Sequence, residues 1–166
     1  LRVALPRPFW ISIPPYVIPD STQTAMNFAV TVPDDIVDVG ITVTETTPFR
    51  FGFTTEVLIQ VSNYGAAVDS LPVLFDIIQQ FPSLEYISAV PSPWYVVGDS
   101  IGWIIPKLGV LEVATIRLKL RTPINGSIPL NTLLFLHAAV PVPGDVATSD
   151  NTARGATRVV GSFDPN

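Results

Sequence analysis

The sequence predicts an all-β protein, an antiparallel sandwich of short strands. Apolar residues recur at every second position, the period of a half-buried strand, and residues 53–65 (FTTEVLIQVSNYG) show it best. Turn-forming residues separate these stretches at roughly the 8–12-residue spacing of sandwich proteins. No helical period lasts the roughly 10–12 residues of an ordinary helix.

Within 53–65, Val57, Ile59 and Val61 share one face, and Glu56, Gln60 and Ser62 the other; Leu58 alone interrupts the pattern. Asn63-Tyr64-Gly65 then brings residues that tolerate positive φ, so a tight turn is expected there. Upstream, residues 37–45 set Val39, Ile41 and Val43 against Gly40, Thr42 and Thr44. Downstream, residues 71–79 are apolar on both sides, which fits a deeply buried strand or a short amphipathic helix over 75–80. Strands are expected at 84–90 and at 101–105, with a hairpin across Gly98-Asp99. Residues 113–120 turn Ala114, Ile116, Leu118 and Leu120 inward and Thr115, Arg117 and Lys119 outward. Asn125-Gly126 is a strong turn signal. A strand over 130–140, a polar loop over 141–150 and a closing strand over 153–160 complete about eight strands. The 17 prolines are not clustered in one tract. Pro33, Pro48, Pro72, Pro82, Pro106, Pro123, Pro129 and Pro141 sit between apolar runs, where proline ends strands and blocks edge pairing.

Residues 1–33 differ from the rest. They are proline-rich, carry Phe9, Trp10 and Tyr16, and hold two short strands near 10–13 and 26–32. That is too little to bury a core of its own. The segment reads as the end of a preceding small β-domain, or as an arm that packs on an adjacent domain or subunit. The junction falls near Asp34-Asp35, the sandwich spans 36–162, and 163–166 reads as a linker to a following segment. A start at Leu1 without a signal pattern reads as a processed chain or a piece of a longer one.

The chain is 48% hydrophobic and 14% charged, against roughly 25% charged in an average soluble domain. Such a shortage suits an extracellular β-protein or a surface covered by neighbours. Net charge is −5 and no Lys/Arg cluster occurs, which argues against nucleic acid and against a polybasic membrane surface. No apolar run reaches the roughly 18 residues of a membrane span. Cysteine is absent, so disulfides and thiolate metal sites are excluded.

No residue pattern points to an enzyme. His137 is the single histidine, and alternation places it with Leu133, Phe135 and Ala139, beside core-type residues. One histidine makes no multi-histidine metal site. A Gly-x-Ser-x-Gly elbow, a glycine-rich phosphate loop and a carboxylate pair spaced for glycoside hydrolysis are all missing. Asp34, Asp35 and Asp38 gather at the first junction; Asp145, Asp150 and Asp164 lie toward the other end. Asp34, Asp35 and Asp164 are the candidates for an interdomain calcium, which favours oxygen ligands. Their spacing matches no calcium loop, so solvated loops without a cofactor are the plainer reading. Trp94 and Tyr95 follow Pro93 near a turn and are the candidates for stacking on a sugar ring, with core or interdomain packing as the plainer reading. Trp103 lies mid-strand and is expected in the core.

From residue 49 onward the order of features resembles a known module. Asn63-Tyr64-Gly65 closes one strand and residues 74–78 form an apolar strand. Leu84, Tyr86, Ser88, Ala89 and Pro91 then space a Leu-x-Tyr-x-Ser-Ala-x-Pro segment. Ile101-Gly102-Trp103, a Leu108-Gly109 turn, a Thr-x-Arg-Leu strand at 115–118 and Ser149-Asp150-Asn151 follow. This order is similar to the conserved-repeat, CARDB-like modules of large bacterial surface and secreted proteins. The ending GSFDPN resembles the junction after such modules in secreted Bacteroidota proteins. Asn27-Phe28-Ala29-Val30 resembles the final strand of the small β-domain that often precedes them. The resemblance implies an immunoglobulin-like sandwich, type IX export to the cell surface and a spacer or adhesive role, with no catalytic residues. The expectation is therefore a non-catalytic structural module of an exported surface protein or filament, with neighbouring domains or adjacent subunits as partners. The alternative is a module that binds a glycan or a surface protein through Trp94.

Overall fold

Alternation sends half of each strand's side chains to one side, so two sheets bury their apolar sides only by closing on each other. In a computed structural model of the chain, the described residues are 2–4, 10–12, 32–78, 84–124 and 128–161, with 2–4, 10–12 and 78 described in their backbone alone. The strands in chain order are β1 (Arg2–Ala4), β2 (Trp10–Ser12), β3 (Val39–Glu45), β4 (Thr54–Asn63), β5 (Val68–Ile78) and β6 (Glu85–Val90). Then come β7 (Tyr95–Val97), β8 (Ser100–Leu108), β9 (Val113–Arg121), β10 (Leu133–Ala139) and β11 (Thr152–Arg158). β1 and β2 pair antiparallel. The sandwich is an all-β, immunoglobulin-like pair of antiparallel sheets, ordered β3-β4-β9-β6 and β11-β10-β5-β8-β7. Among the described residues there is no α-helix, only a 3₁₀ turn over Thr148–Asp150.

The inner sides follow the alternation. Val57, Ile59 and Val61 of β4 and Ile116, Leu118 and Leu120 of β9 are buried. They share a core with Val73 and Phe75 of β5, Trp103 of β8, and Leu134 and Leu136 of β10. Fully burying each such side chain contributes about 1.5–3 kcal/mol. Trp103 also needs a partner for its indole N–H, which donates to the Pro91 carbonyl at 3.0 Å.

Several expectations change. Residues 75–78 continue β5 as strand, so the helical alternative fails there; residues 79–80 lie outside the described residues, as do the 125–126 turn and most of the 26–32 strand. Pro72 and Pro106 lie inside β5 and β8 rather than between strands. β10 pairs with β5 only from Leu74 onward, and β7 pairs with β8 only over 100–102. Each of these prolines therefore has one flank without a partner strand, where a missing N–H costs no ladder bond. The strand expected from 130 begins at Leu133, because Pro129 to Thr132 forms a turn with Asn131 at φ 67.

Asn63 and Gly65 are not in the left-handed region. The strand still stops there, with the Asn63 side chain making the turn, and the same residue serves as a clamp. Its amide donates to the carbonyls of Ala66 (2.7 Å), Gly109 (3.0 Å) and Leu108 (3.1 Å), and its oxygen accepts from the Gly65 N–H at 2.9 Å. The end of β4 is thereby tied to the end of β8, one strand from each sheet. Gly65 is required for close approach: a Cβ there would fall 2.6 Å from the amide nitrogen of Asp38.

That clamp also orients the molecule. The end of β4, the start of β3 opposite Asn63, the end of β8, the start of β5, the end of β10 and the start of β11 share one pole. β3 and β11 both run from this pole to the other. The polypeptide enters the sandwich beside Asp145, where Val37 forms a bridge. It leaves beside Arg50, where Val160 forms one.

Candidate functional site

The outer side of the five-stranded sheet holds Tyr95 and His137, two of the residues that the sequence singled out, with Trp94 at its edge. Trp94 is 76% exposed. Its ring meets Tyr95 edge-on, with centroids 5.8 Å apart and planes at 72°. Tyr95 pairs across the sheet with Gly102 and lies over it. A Cβ at position 102 would fall 2.7 Å from Tyr95 Cζ, so the glycine creates the seat for the ring. Of the two aromatics, Trp94 is the one presented to solvent.

His137 is on this outer side, contrary to the core-side placement expected from its neighbours. The buried residues of β10 are the alternate set Leu134, Leu136 and Ala138, while Leu133 and Phe135 are exposed. An apolar run with two candidate faces does not reveal which one turns inward. Register places Arg154, His137, Asp76 and Ser100 in one row across β11, β10, β5 and β8. His137 Nδ1 lies 3.8 Å from Asp76 Oδ2. The Ser100 hydroxyl donates to Asp76 Oδ1. Because that hydroxyl is bonded to the carboxylate rather than the imidazole, the row lacks the serine–histidine contact of a nucleophilic triad. Asp76, Ser100 and Arg154 carry no signal in the sequence; only strand register lines them up.

The acidic residues are redistributed. Asp34 and Asp35 are exposed in the turn before β3, and Asp164 lies outside the described residues. Asp145 and Asp150, expected toward the far end, join Asp38 at the entry pole. Asp145 Oδ2 accepts the Val39 N–H at 2.8 Å and Oδ1 accepts the Ala147 N–H at 2.7 Å. Both its oxygens are thus engaged in holding loop 141–150 against β3. Among the described residues no three acidic or histidine side chains converge as metal ligands. No described helix is long and apolar enough to cross a membrane.

No protein-family model matches the chain, and no curated protein matches it in sequence. Similarity appears among solved structures. A CARDB domain from Pyrococcus furiosus, crystallised in complex with di-metal ions, superposes with a TM-score of 0.54 at 15% identity, covering 78% of this chain and 94% of that one. The solution structure of a Pyrococcus furiosus CARDB domain gives 0.49 at 15% identity, over 75% and 96%. A cohesin module from a Clostridium perfringens family 33 glycoside hydrolase gives 0.46 at 15% identity, over 76% and 99%. At such identities the likeness is one of fold, and the fold is CARDB-like.

Proposed function

We propose that this chain is a non-catalytic spacer module of an exported cell-surface protein or filament, set in line with its neighbours. The observation that supports it is the threading: entry and exit lie at opposite poles, with β3 and β11 running in the same direction. Each such module advances the polypeptide by about one strand length, about 30 Å for a ten-residue strand. Tension between its two ends pulls β3 along β4 and β11 along β10, so whole ladders resist in shear. Export and a surface location are supported by the CARDB-like order of motifs, the GSFDPN ending and the scarcity of charge. Single-molecule pulling tests the reading. Force applied through residues 32 and 161 is expected to unfold the module at higher load than force through 85 and 121, neighbouring strand ends that unzip. Equal forces would remove the spacer role.

A second reading is favoured by the exposure of Trp94 beside Tyr95. In it the module binds a glycan or a surface protein through that aromatic pair. Trp94→Ala is expected to abolish binding on a glycan or matrix-protein array without changing stability. Absence of binding by the unaltered chain would discard this reading.

A further inference from the structure

We propose that β3 and β11 are a matched pair of struts, tied to each other at both poles, and that these two ties set the load at which the module yields. This rests on the spacer reading and names the contacts that carry its tension.

β3 and β11 are edge strands of different sheets, lie against each other and run in the same direction. Among the described residues no ladder joins them. Parallel bridges hold the segments that flank them instead, Val37 with Asp145 at the entry pole and Arg50 with Val160 at the exit pole.

The entry tie is built around a buried carboxylate, that of Asp145. Its Oδ2 accepts the Val39 N–H at 2.8 Å, and its Oδ1 accepts the Ala147 N–H at 2.7 Å, which stiffens its own loop. The Val146 N–H donates to the Val37 carbonyl at 2.9 Å. The Asn151 amide, oriented so that its nitrogen faces acceptors, donates to the Val39 carbonyl at 2.8 Å. Both backbone groups of Val39, at the head of β3, are thus held by residues that lead into β11. Bonds to an ionised carboxylate are roughly twice as strong as neutral ones. At the exit the Val160 N–H donates to the Phe49 carbonyl at 2.8 Å. Phe49 and Val159 are fully buried, so both sides of this tie are anchored in the core.

The struts between the ties are matched in length. Val39 to Phe49 is 49 − 39 = 10 positions, and Asn151 to Val160 is 160 − 151 = 9. Tension applied at 37 and 160 therefore has two routes of similar slack. One runs along β3 and crosses at the exit tie; the other crosses at the entry tie and runs along β11. A strand already extended at about 3.3 Å per residue has almost no further reach. The ends separate only when both ties have parted, and each tie is loaded in shear.

Single-molecule pulling of the full chain at constant load tests this, with handles at 32 and 161 or at 85 and 121. Asp145→Ala removes the carboxylate of the entry tie, and Val160→Pro removes the N–H of the exit tie. Through 32 and 161, Asp145→Ala is expected to shorten the lifetime roughly tenfold or more. Val160→Pro is expected to shorten it less, and the two together more than either alone. Through 85 and 121 these variants are expected to change the lifetime far less, since that pull crosses neither tie. A residue serving stability alone shortens both lifetimes alike. Asp145→Asn keeps an acceptor for the Val39 N–H; it is expected to fall between Asp145→Ala and wild type, and is read by the same criteria if Asp145→Ala does not fold. A wild-type lifetime through 32 and 161 in the Asp145 variant, or equal shortening along both axes, overturns the proposal. The spacer reading is judged on the unaltered chain, by whether its two axes differ, so either can fail without the other.

Discussion

The two outer sides of the sandwich are built on the same alternation and look nothing alike. On the four-stranded sheet the outward positions of β3, β4 and β9 carry Thr42, Thr44, Gln60, Thr115 and Lys119. Ion pairs run between strands, Glu56 with Arg117 at 3.0 Å and Glu85 with Arg121. That is the wet face expected of an antiparallel sheet. On the five-stranded sheet the outward positions carry Phe135, Ile104, Val97, Leu74 and Pro72, crossed by the single polar row through Asp76 and His137. On both sheets the inner positions of the central strands are buried. The difference teaches that the inner sides specify the fold and the outer sides record what each sheet meets.

If the inner sides are equivalent, cutting either should cost the same. Phe75→Ala on β5 and Leu118→Ala on β9 are each expected to lower stability by about 2–5 kcal/mol in denaturant unfolding. A large inequality would mean that one sheet, not the pair, holds the core. Asn63→Ala attacks the clamp between the sheets and is expected to cost about 1–3 kcal/mol, since it strips the carbonyls of Leu108 and Gly109 of a donor. Hydrogen exchange should then rise first at 64–66 and 108–112. On the apolar outer side, Tyr95→Ala uncovers Gly102 and is expected to cost about 0.2–1 kcal/mol, with β7 fraying from β8. On the wet side, Glu56→Gln is expected to change stability by no more than about 0.5 kcal/mol, an effect erased by salt, because Arg117 is well exposed. Should Glu56→Gln prove more damaging than Tyr95→Ala, the contrast between the faces would be misjudged.

The core was legible where polar and apolar residues strictly alternate. In 113–120 and 53–65 the outward residues, Leu58 and Val113 apart, are charged or polar, so only one assignment buries oil and wets charge. It was illegible in β10, where Leu133, Phe135 and His137 compete with Leu134, Leu136 and Ala138 for the inside. Trp94 and Tyr95 were visible as a pair, because a turn signal precedes a strand there. The row through Asp76 was not, since its members are scattered from Asp76 to Arg154, 154 − 76 = 78 positions apart.

By itself the sequence determined the strand class, most inner faces and the absence of thiol chemistry, since these depend on neighbours within a few residues. Tertiary structure alone decided which sheet each strand joins, that Asn63 clamps the two sheets as well as turning the chain, and that Asp145 answers the amide of Val39. Those outcomes are settled by contacts between residues far apart in the chain, 106 positions in the last case. Pairing of that kind is selected by the packing of whole sheets, which no local pattern encodes.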